Sequence, residues 1–458
     1  MTRGVVLALL AVPIMGGAAL EAQAVDPPPR VTKPPSTQGT TSSLQLGTSL
    51  FGGYNRNLVS TKTQAPTTTL QPNAFTGWGS ANLRYTLASG TRSLEVGGGA
   101  TANTNNNAGR VAANTNNSAA NSGPVFGANA SVGFRTPLGG GATLALSQSA
   151  SRTPYYSMGL FGGLPPGIYS PDSNPINGIV DGHLWALGSS AAVGYELTRR
   201  TSTSVSYAYR KNLHEGGQSS DMSYDDHSAS LGVTQQVSES TGMTGSYRIM
   251  KHGADQAGFQ YDGFTHGFSL GFQRSQQLSR TRSLAIGVGG GADLVNTDGS
   301  NRYWQPTYYA SLGTDIGRSW VVSANYSQTS AMLYSPLSAP DSYLTQTAML
   351  SVGGDLSRTL SLVVNVGATM GDVAGSNSVT GSPGHYVGLN SGVQLSTRLW
   401  SGWSAVVSGN YYRSELTGAA KQFLVSSGDF QRTSVRGGLT WNVPLLNSGR
   451  SGRPPRER

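Results

Sequence analysis

The chain has 458 residues and a formal net charge of +9, yet charged residues make up only 12% of it, about half the ~25% usual in soluble domains. It contains 62 Gly and no Cys, which excludes a disulfide scaffold, thiol catalysis and lipidation at cysteine. Hydrophobic content is 37%, and past the N-terminus no stretch of ~18 apolar residues occurs. Any membrane crossing would therefore be made by strands.

The N-terminus carries Arg3, then a short apolar run from Val5 to Met15, then Ala22-Gln23-Ala24. This order of positive, apolar and small-x-small segments predicts a secretory signal peptide over residues 1–24. Residues 25–42, VDPPPRVTKPPSTQGTTS, are rich in Pro and Thr and predict an extended periplasmic linker.

Regular alternation begins at Leu44, with Leu46, Leu50 and Tyr54 on the same face. Alternation with period two is the signature of a strand with unlike faces. A hairpin follows: Ala81, Leu83, Tyr85 and Leu87 share a face, a short turn intervenes, and Leu94, Val96, Gly98 and Ala100 continue the pattern. The unit recurs around 126–146 and 187–209, with further turns near Ser238, Ser279, Gly317, Ser357 and Thr397. Val435, Gly437, Leu439, Trp441 and Val443 mark a last strand. Residues 445–458, with GRSGRPPRER at the end, predict a basic disordered tail.

The spacing of the turns decides the fold class. Leu197, Val237, Leu278, Ile316, Leu356 and Leu395 enter the last six turns at intervals of 38–41 residues. Each interval holds two strands of about ten residues, one short turn and one longer polar loop. A tilted strand needs ~9–11 residues to cross a bilayer. The expectation is an all-β, transmembrane, antiparallel up-and-down barrel over residues 43–444, with 18 strands (16 as the alternative). An even strand number puts both termini on the short-turn side, read as periplasmic. The repeated Leu-Ser-Arg-Thr of 278–281 and 356–359 is then the tight turn of a repeated hairpin.

The aromatic residues sort as such a barrel requires. Tyr85, Phe134, Tyr195, Phe272, Trp320, Trp403 and Trp441 have outward parity near short turns. Tyr54, Phe126, Trp185, Tyr209, Tyr247, Tyr326 and Tyr411 have outward parity near long loops. Two interfacial girdles are expected of a membrane barrel, whereas a soluble sandwich has no reason for them.

The opposite parity is mostly small, polar and neutral. Its charges are Arg84, Arg135, Arg210, Arg248, Arg432 and Arg436 against Glu95, Glu196, Asp293, Asp315 and Asp355. These are the candidate pore-lining residues, and their near-balance predicts weak ion selectivity. Inward aromatics by parity are mainly Tyr309 and Tyr412. The longest loop, 153–183, holds Tyr155, Tyr156, Phe161, Tyr169, Asp172 and five Pro. So stiff and aromatic a loop predicts an inward constriction, with a surface loop packed over the barrel mouth as the alternative.

By count this loop joins the fifth and sixth strands. In that respect the chain resembles general bacterial porins, whose third outer loop follows the fifth strand and folds inward to narrow the pore. The signal peptide, the Pro-rich segment and the repeated L-[ST]-R turns also resemble large outer-membrane β-barrel porins, some associated with exopolysaccharide export. These resemblances imply a cell outer-membrane location and a passive channel for polar solutes. An exit channel for an exopolysaccharide and a non-conducting surface or adhesion barrel are the alternatives. The implied partners are outer-membrane lipid and lipopolysaccharide, the barrel-assembly machinery, and the polar solute or polysaccharide itself, with oligomerisation left open.

Catalysis, cofactors and nucleic acid are not expected. All six His (183, 214, 227, 252, 266 and 385) fall in or beside long loops. His227 lies near Ser228, Asp225 and Asp226, but proximity in sequence does not make a triad. Asp221, Asp225 and Asp226 lack the spacing of a calcium loop, and the Gly runs lie within strands with no helix after them, so no metal and no phosphate loop is predicted. The basic charges are scattered, which argues against nucleic acid.

Overall fold

A computed structural model of the protein describes residues 40–60, 73–105, 125–156, 180–215, 222–256, 259–297, 302–335, 338–373, 384–400, 402–417 and 429–447. The expected signal peptide lies outside these residues, as do most of the Pro-rich segment and of the basic tail.

The described residues form eighteen strands and no helix. In chain order they are β1 (Thr41–Ser60), β2 (Asn73–Ser89), β3 (Arg92–Asn105), β4 (Val125–Gly139), β5 (Ala142–Tyr156) and β6 (Val180–Glu196). Next come β7 (Thr201–Glu215), β8 (Met222–Ser238), β9 (Thr241–Gln256), β10 (Phe259–Ser279), β11 (Arg282–Thr297) and β12 (Arg302–Ile316). The last are β13 (Trp320–Ser335), β14 (Ser338–Asp355), β15 (Leu360–Val373), β16 (Gly384–Trp400), β17 (Trp403–Thr417) and β18 (Asp429–Asn447). Each strand pairs antiparallel with the next, and β1 pairs with β18 from Ser43↔Asn447 to Ser60↔Asp429, which closes the sheet. Closure joins the first strand to the last, so neither is left as an edge strand, the condition for placing a sheet in lipid. The eighteen-strand, all-β, up-and-down barrel matches the expectation, with β1 starting at Thr41 and β18 continuing to Asn447.

The repeated turn motif has a chemical reason. In Leu278-Ser279-Arg280-Thr281 the Ser279 hydroxyl accepts the Thr281 backbone N–H at 3.3 Å. In Leu356-Ser357-Arg358-Thr359 the Ser357 hydroxyl accepts from Thr359 and Leu360 at 3.3 and 3.1 Å. Thr198 Oγ1 does the same for Arg200 and Thr201 at 3.2 and 3.0 Å. The hydroxyl of L-[ST]-R thus supplies the acceptor that an exposed turn would otherwise seek from water. One expected turn is displaced. Leu395-Ser396-Thr397-Arg398 looks like the same motif, but β16 runs through it to Trp400. The chain reverses instead at Gly402, whose φ of 79° is the left-handed conformation glycine allows. Ser396 is taken by the wall, its Oγ 2.6 Å from Ser361 Oγ.

Outside, the barrel is apolar. Leu50, Leu83, Val132, Leu146, Val205, Leu231, Val288, Leu350, Val393 and Val407 are all exposed on the outer face. Trp400, Trp403 and Trp441 cluster at the short-turn rim, with ring centroids 5.8 and 5.6 Å apart. Arg152 lies over the Trp185 ring, its Cζ 5.6 Å from the centroid, on the long-loop half of the same face. An outer band of aliphatics edged by indoles and Tyr has no use in water and fits a bilayer with its two interfaces.

Candidate functional site: the barrel interior

The core of this molecule is the inner face of its wall. By strand parity every buried side chain among the described residues except Gln328 points inward, and most are polar: Asn212, His252, Thr265, Asp293, Gln305, Thr345, Thr369, Asn390 and Ser434, beside Met250, Val295, Tyr386 and Tyr412. A soluble domain would reverse this, with aliphatics inside and polar groups outside. The chain is a transmembrane β-barrel of the outer-membrane type.

Much of the inner wall is a lattice of hydroxyls. Ser49–Ser80, Ser147–Ser190, Ser206–Ser230, Ser246–Ser269 and Ser361–Ser396 meet across adjacent strands with Oγ···Oγ distances of 2.6–2.7 Å. Each such pair contributes ~0.2–1 kcal/mol to strand pairing. It also keeps this part of the inner wall polar with small side chains. Strand parity places each of these serines inward; their pairing depends on register between strands.

The candidate charged residues all fall on inner-face positions, in five settings. Arg84 on β2 and Glu95 on β3 form an ion pair at 2.8 Å, about half exposed on each side. Arg248 on β9 reaches Asp293 on β11 at 3.3 Å, where the acid is almost wholly buried. Asp293 also accepts a 2.5 Å hydrogen bond from Ser330 Oγ. Asp315 near the short-turn rim accepts from Ser283 Oγ, also at 2.5 Å. Arg135, Glu196 and Asp355 are exposed toward the same rim, while Arg210, Arg432 and Arg436 are half-buried in the long-loop half. Of the expected constriction residues, Tyr155 and Tyr156 end β5, whereas Phe161, Tyr169 and Asp172 lie outside the described residues.

Inner aromatics exceed the parity reading. Phe51 and Trp78 face each other across β1 and β2 at 5.4 Å. The Phe51 ring lies on Gly438, where a Cβ would collide with it. Tyr386 and Tyr412 are buried and share a 2.6 Å hydroxyl–hydroxyl bond. Tyr309 lies flat over Gly289 and reaches Gly271, so the glycine run of β11 is a shelf for a ring. Phe51 and Trp78 were legible, since Leu50, Tyr54, Phe75 and Leu83 set the opposite parity.

The six histidines lie within strands rather than in loops. His227 and His266 are on the outer face, where Nδ1 of each meets a tyrosine hydroxyl, Tyr207 at 2.7 Å and Tyr247 at 2.8 Å. Ser228, next to His227, points to the other face, so no Ser-His pair forms there. His252 is inward and buried, with Nδ1 2.7 Å from Asp226 Oδ1 and Nε2 3.4 Å from Thr265 Oγ1. The order acid–imidazole–hydroxyl is that of a hydrolytic relay. Thr265 is 4% exposed, so its hydroxyl is closed to a substrate. Among the described residues no group of three or more His, Asp or Glu is placed to hold a metal ion.

No family model and no curated protein matches the chain. Among solved structures it is similar to Pseudomonas aeruginosa OpdL, at 11% identity and TM-score 0.43 over 88% of this chain and 99% of that one. It is similar to Pseudomonas aeruginosa OccK2 (OpdF), solved in complex with glucuronate, at 12% identity and TM-score 0.47 over 88% and 98%. Acinetobacter baumannii OccAB2 stands at 12% and 0.45, again over 88% and 98%. Likeness at this level concerns the course of the chain and carries nothing about ligands.

Proposed function

We propose that this protein is a porin-like channel of the bacterial outer membrane through which polar solutes diffuse passively, without catalysis or cofactor. The observation that carries the reading is the inverted wall, aliphatic outside and hydroxyl-lined inside, on a barrel of a size that leaves an aqueous interior. In this reading the long loops face outward from the cell and both termini lie in the periplasm. Arg84, Glu95, Arg135, Glu196, Arg210, Arg248, Asp293, Asp315, Asp355, Arg432 and Arg436 line the path. Six cations against five anions give little preference between ions of opposite sign. The 153–183 loop, with Tyr155, Tyr156, Phe161, Tyr169 and Asp172, narrows the entrance.

The test is single-channel recording of the refolded protein in a planar bilayer, with and without residues 153–183. Stable steps from the intact chain, larger after deletion, are the expected result. Silence from both forms, with folding verified by heat-modifiable gel mobility, would sink the channel reading.

A second reading, an exit path for an exopolysaccharide, draws support from the Phe51–Trp78 pair. Sugar rings stack on aromatic faces. Oligosaccharide added to the conducting channel should then block it, with the block weakened by Trp78→Ala.

A further inference from the structure

We infer that the long-loop part of the β13–β14 hairpin, residues 329–335 of β13 with their partners on β14, is a size-determining strap, folded into the barrel, that can return to the wall by zipping a split seam against β12. The inference rests on the channel reading.

The longest break in the wall among the described residues lies in its long-loop half, between β12 and β13; a shorter one lies between β4 and β5, whose ladder ends at Ala128↔Arg152 although β4 begins at Val125 and β5 runs on to Tyr156. β12 and β13 pair from Ile316↔Trp320 up to Tyr308↔Gln328 and no further. Above that rung, residues 302–307 of β12 pair only with β11. Residues 329–335 of β13 pair only with β14. Pro306 stands just above the last rung. It has no N–H to give a ladder and is otherwise confined to edges and bulges. Its carbonyl is taken by the Gln328 side chain, Nε2 to O 2.9 Å, which replaces the missing rung and buries Gln328.

The freed hairpin has moved inward. Adjacent strands lie ~4.8 Å apart, so strands three positions apart should be separated by ~14 Å. β14 nevertheless comes within 8 Å of β11, Cα to Cα. Ser330 gives the direction. By the parity of Trp320, Val322 and Tyr326 it belongs to the outer face, and two strands' spacing from β11 is ~10 Å. Its Oγ is 2.5 Å from Asp293 Oδ2 on the inner face of β11, which is possible only if β13 has left the wall. Asp293 is the fastening point: it lies over Gly267, is held by Arg248 at 3.3 Å, and adjoins the buried row Met250–Thr265–Val295.

The same register defines the alternative state. Continued upward, it sets Thr307 opposite Thr329 and Pro306 opposite Ser330, completing the wall and emptying the interior. That state gains ladder bonds, less the one Pro306 cannot donate, and loses the Asp293–Ser330 bond. Two states that differ by a few hydrogen bonds are close enough for sequence to set the balance. Pro306 favours the folded-in strap.

The chain has no cysteine, so an engineered pair is unambiguous. Asp293→Cys with Ser330→Cys is refolded and bridged by a short bifunctional thiol reagent that reduction cleaves. Bridging is read by gel mobility and conductance in a planar bilayer. The expected result is efficient bridging, with a step about twofold larger after cleavage. Pro306→Thr, which restores the N–H without touching Asp293, should raise the proportion of large openings in otherwise native protein. Failure to bridge overturns the folded-in strap. Bridging with equal conductance before and after cleavage overturns its control of pore size. Bridging without current in either form leaves the strap's placement standing and overturns the channel reading, and with it any control of pore size. Large openings no more frequent in Pro306→Thr than in native protein overturn the zipped state.

Discussion

Among the ion pairs that face the interior of this barrel, Arg84–Glu95 and Arg248–Asp293 belong to different kinds of structure. Arg84–Glu95 joins neighbouring strands in the short-turn half, with both side chains near half exposure. Arg248–Asp293 spans from β9 to β11, buries its acid to 4% and leaves its base one third exposed. The first is a decoration on a wall already complete in backbone hydrogen bonds. The second lies on the intact β9–β11 ladders beside the place where the wall has parted, and through Ser330 it fastens a hairpin no ladder holds on the β12 side. Regular pairing makes side-chain contacts optional, because the backbone is satisfied without them. Where pairing fails, side chains must carry both the polar balance and the position of the chain.

The sharpest way to break this comparison is Arg248→Ala. It leaves the buried Asp293 carboxylate with only Ser330, and removing one partner of a buried pair costs about 3 kcal/mol. Urea titration in lipid vesicles, followed by tryptophan emission, should show that loss; a change below ~1 kcal/mol would mean that Asp293 is solvated. Ser330→Ala is expected to be milder, about 1.5 kcal/mol for one hydrogen bond to a charged acceptor. Its more telling readout is faster proteolysis of the long-loop part of the β13–β14 hairpin, since the fastening is lost while the rest of the wall is intact. Arg84→Ala should come last, at about 0.5 kcal/mol, as expected for an exposed, screened pair. Raising the salt concentration should shrink that small effect and leave the Arg248→Ala loss nearly unchanged.

Legibility followed the same division. Strand number, turn positions and the two faces could be read because alternation is local: side chains two residues apart share a face whatever the partner strand does. The hydroxyl of L-[ST]-R acts within its own turn, so the motif could be recognised, and it misled only at 395–398, where β16 runs on to Trp400. The charged residues could be assigned to the inner face one by one. Their grouping could not, because Arg248, Asp293 and Ser330 meet across 45 and 37 positions of chain. Ser330 was beyond any parity argument, since its strand no longer lies in the wall.

The sequence by itself determined an eighteen-strand barrel, aliphatic toward lipid and polar within, from a period of two repeated hairpin after hairpin. Only the tertiary structure decided which hydroxyls pair, which rings lie on glycine shelves, and where the wall opens. Those outcomes depend on the register between strands far apart in sequence, and on the rung that Pro306 cannot supply.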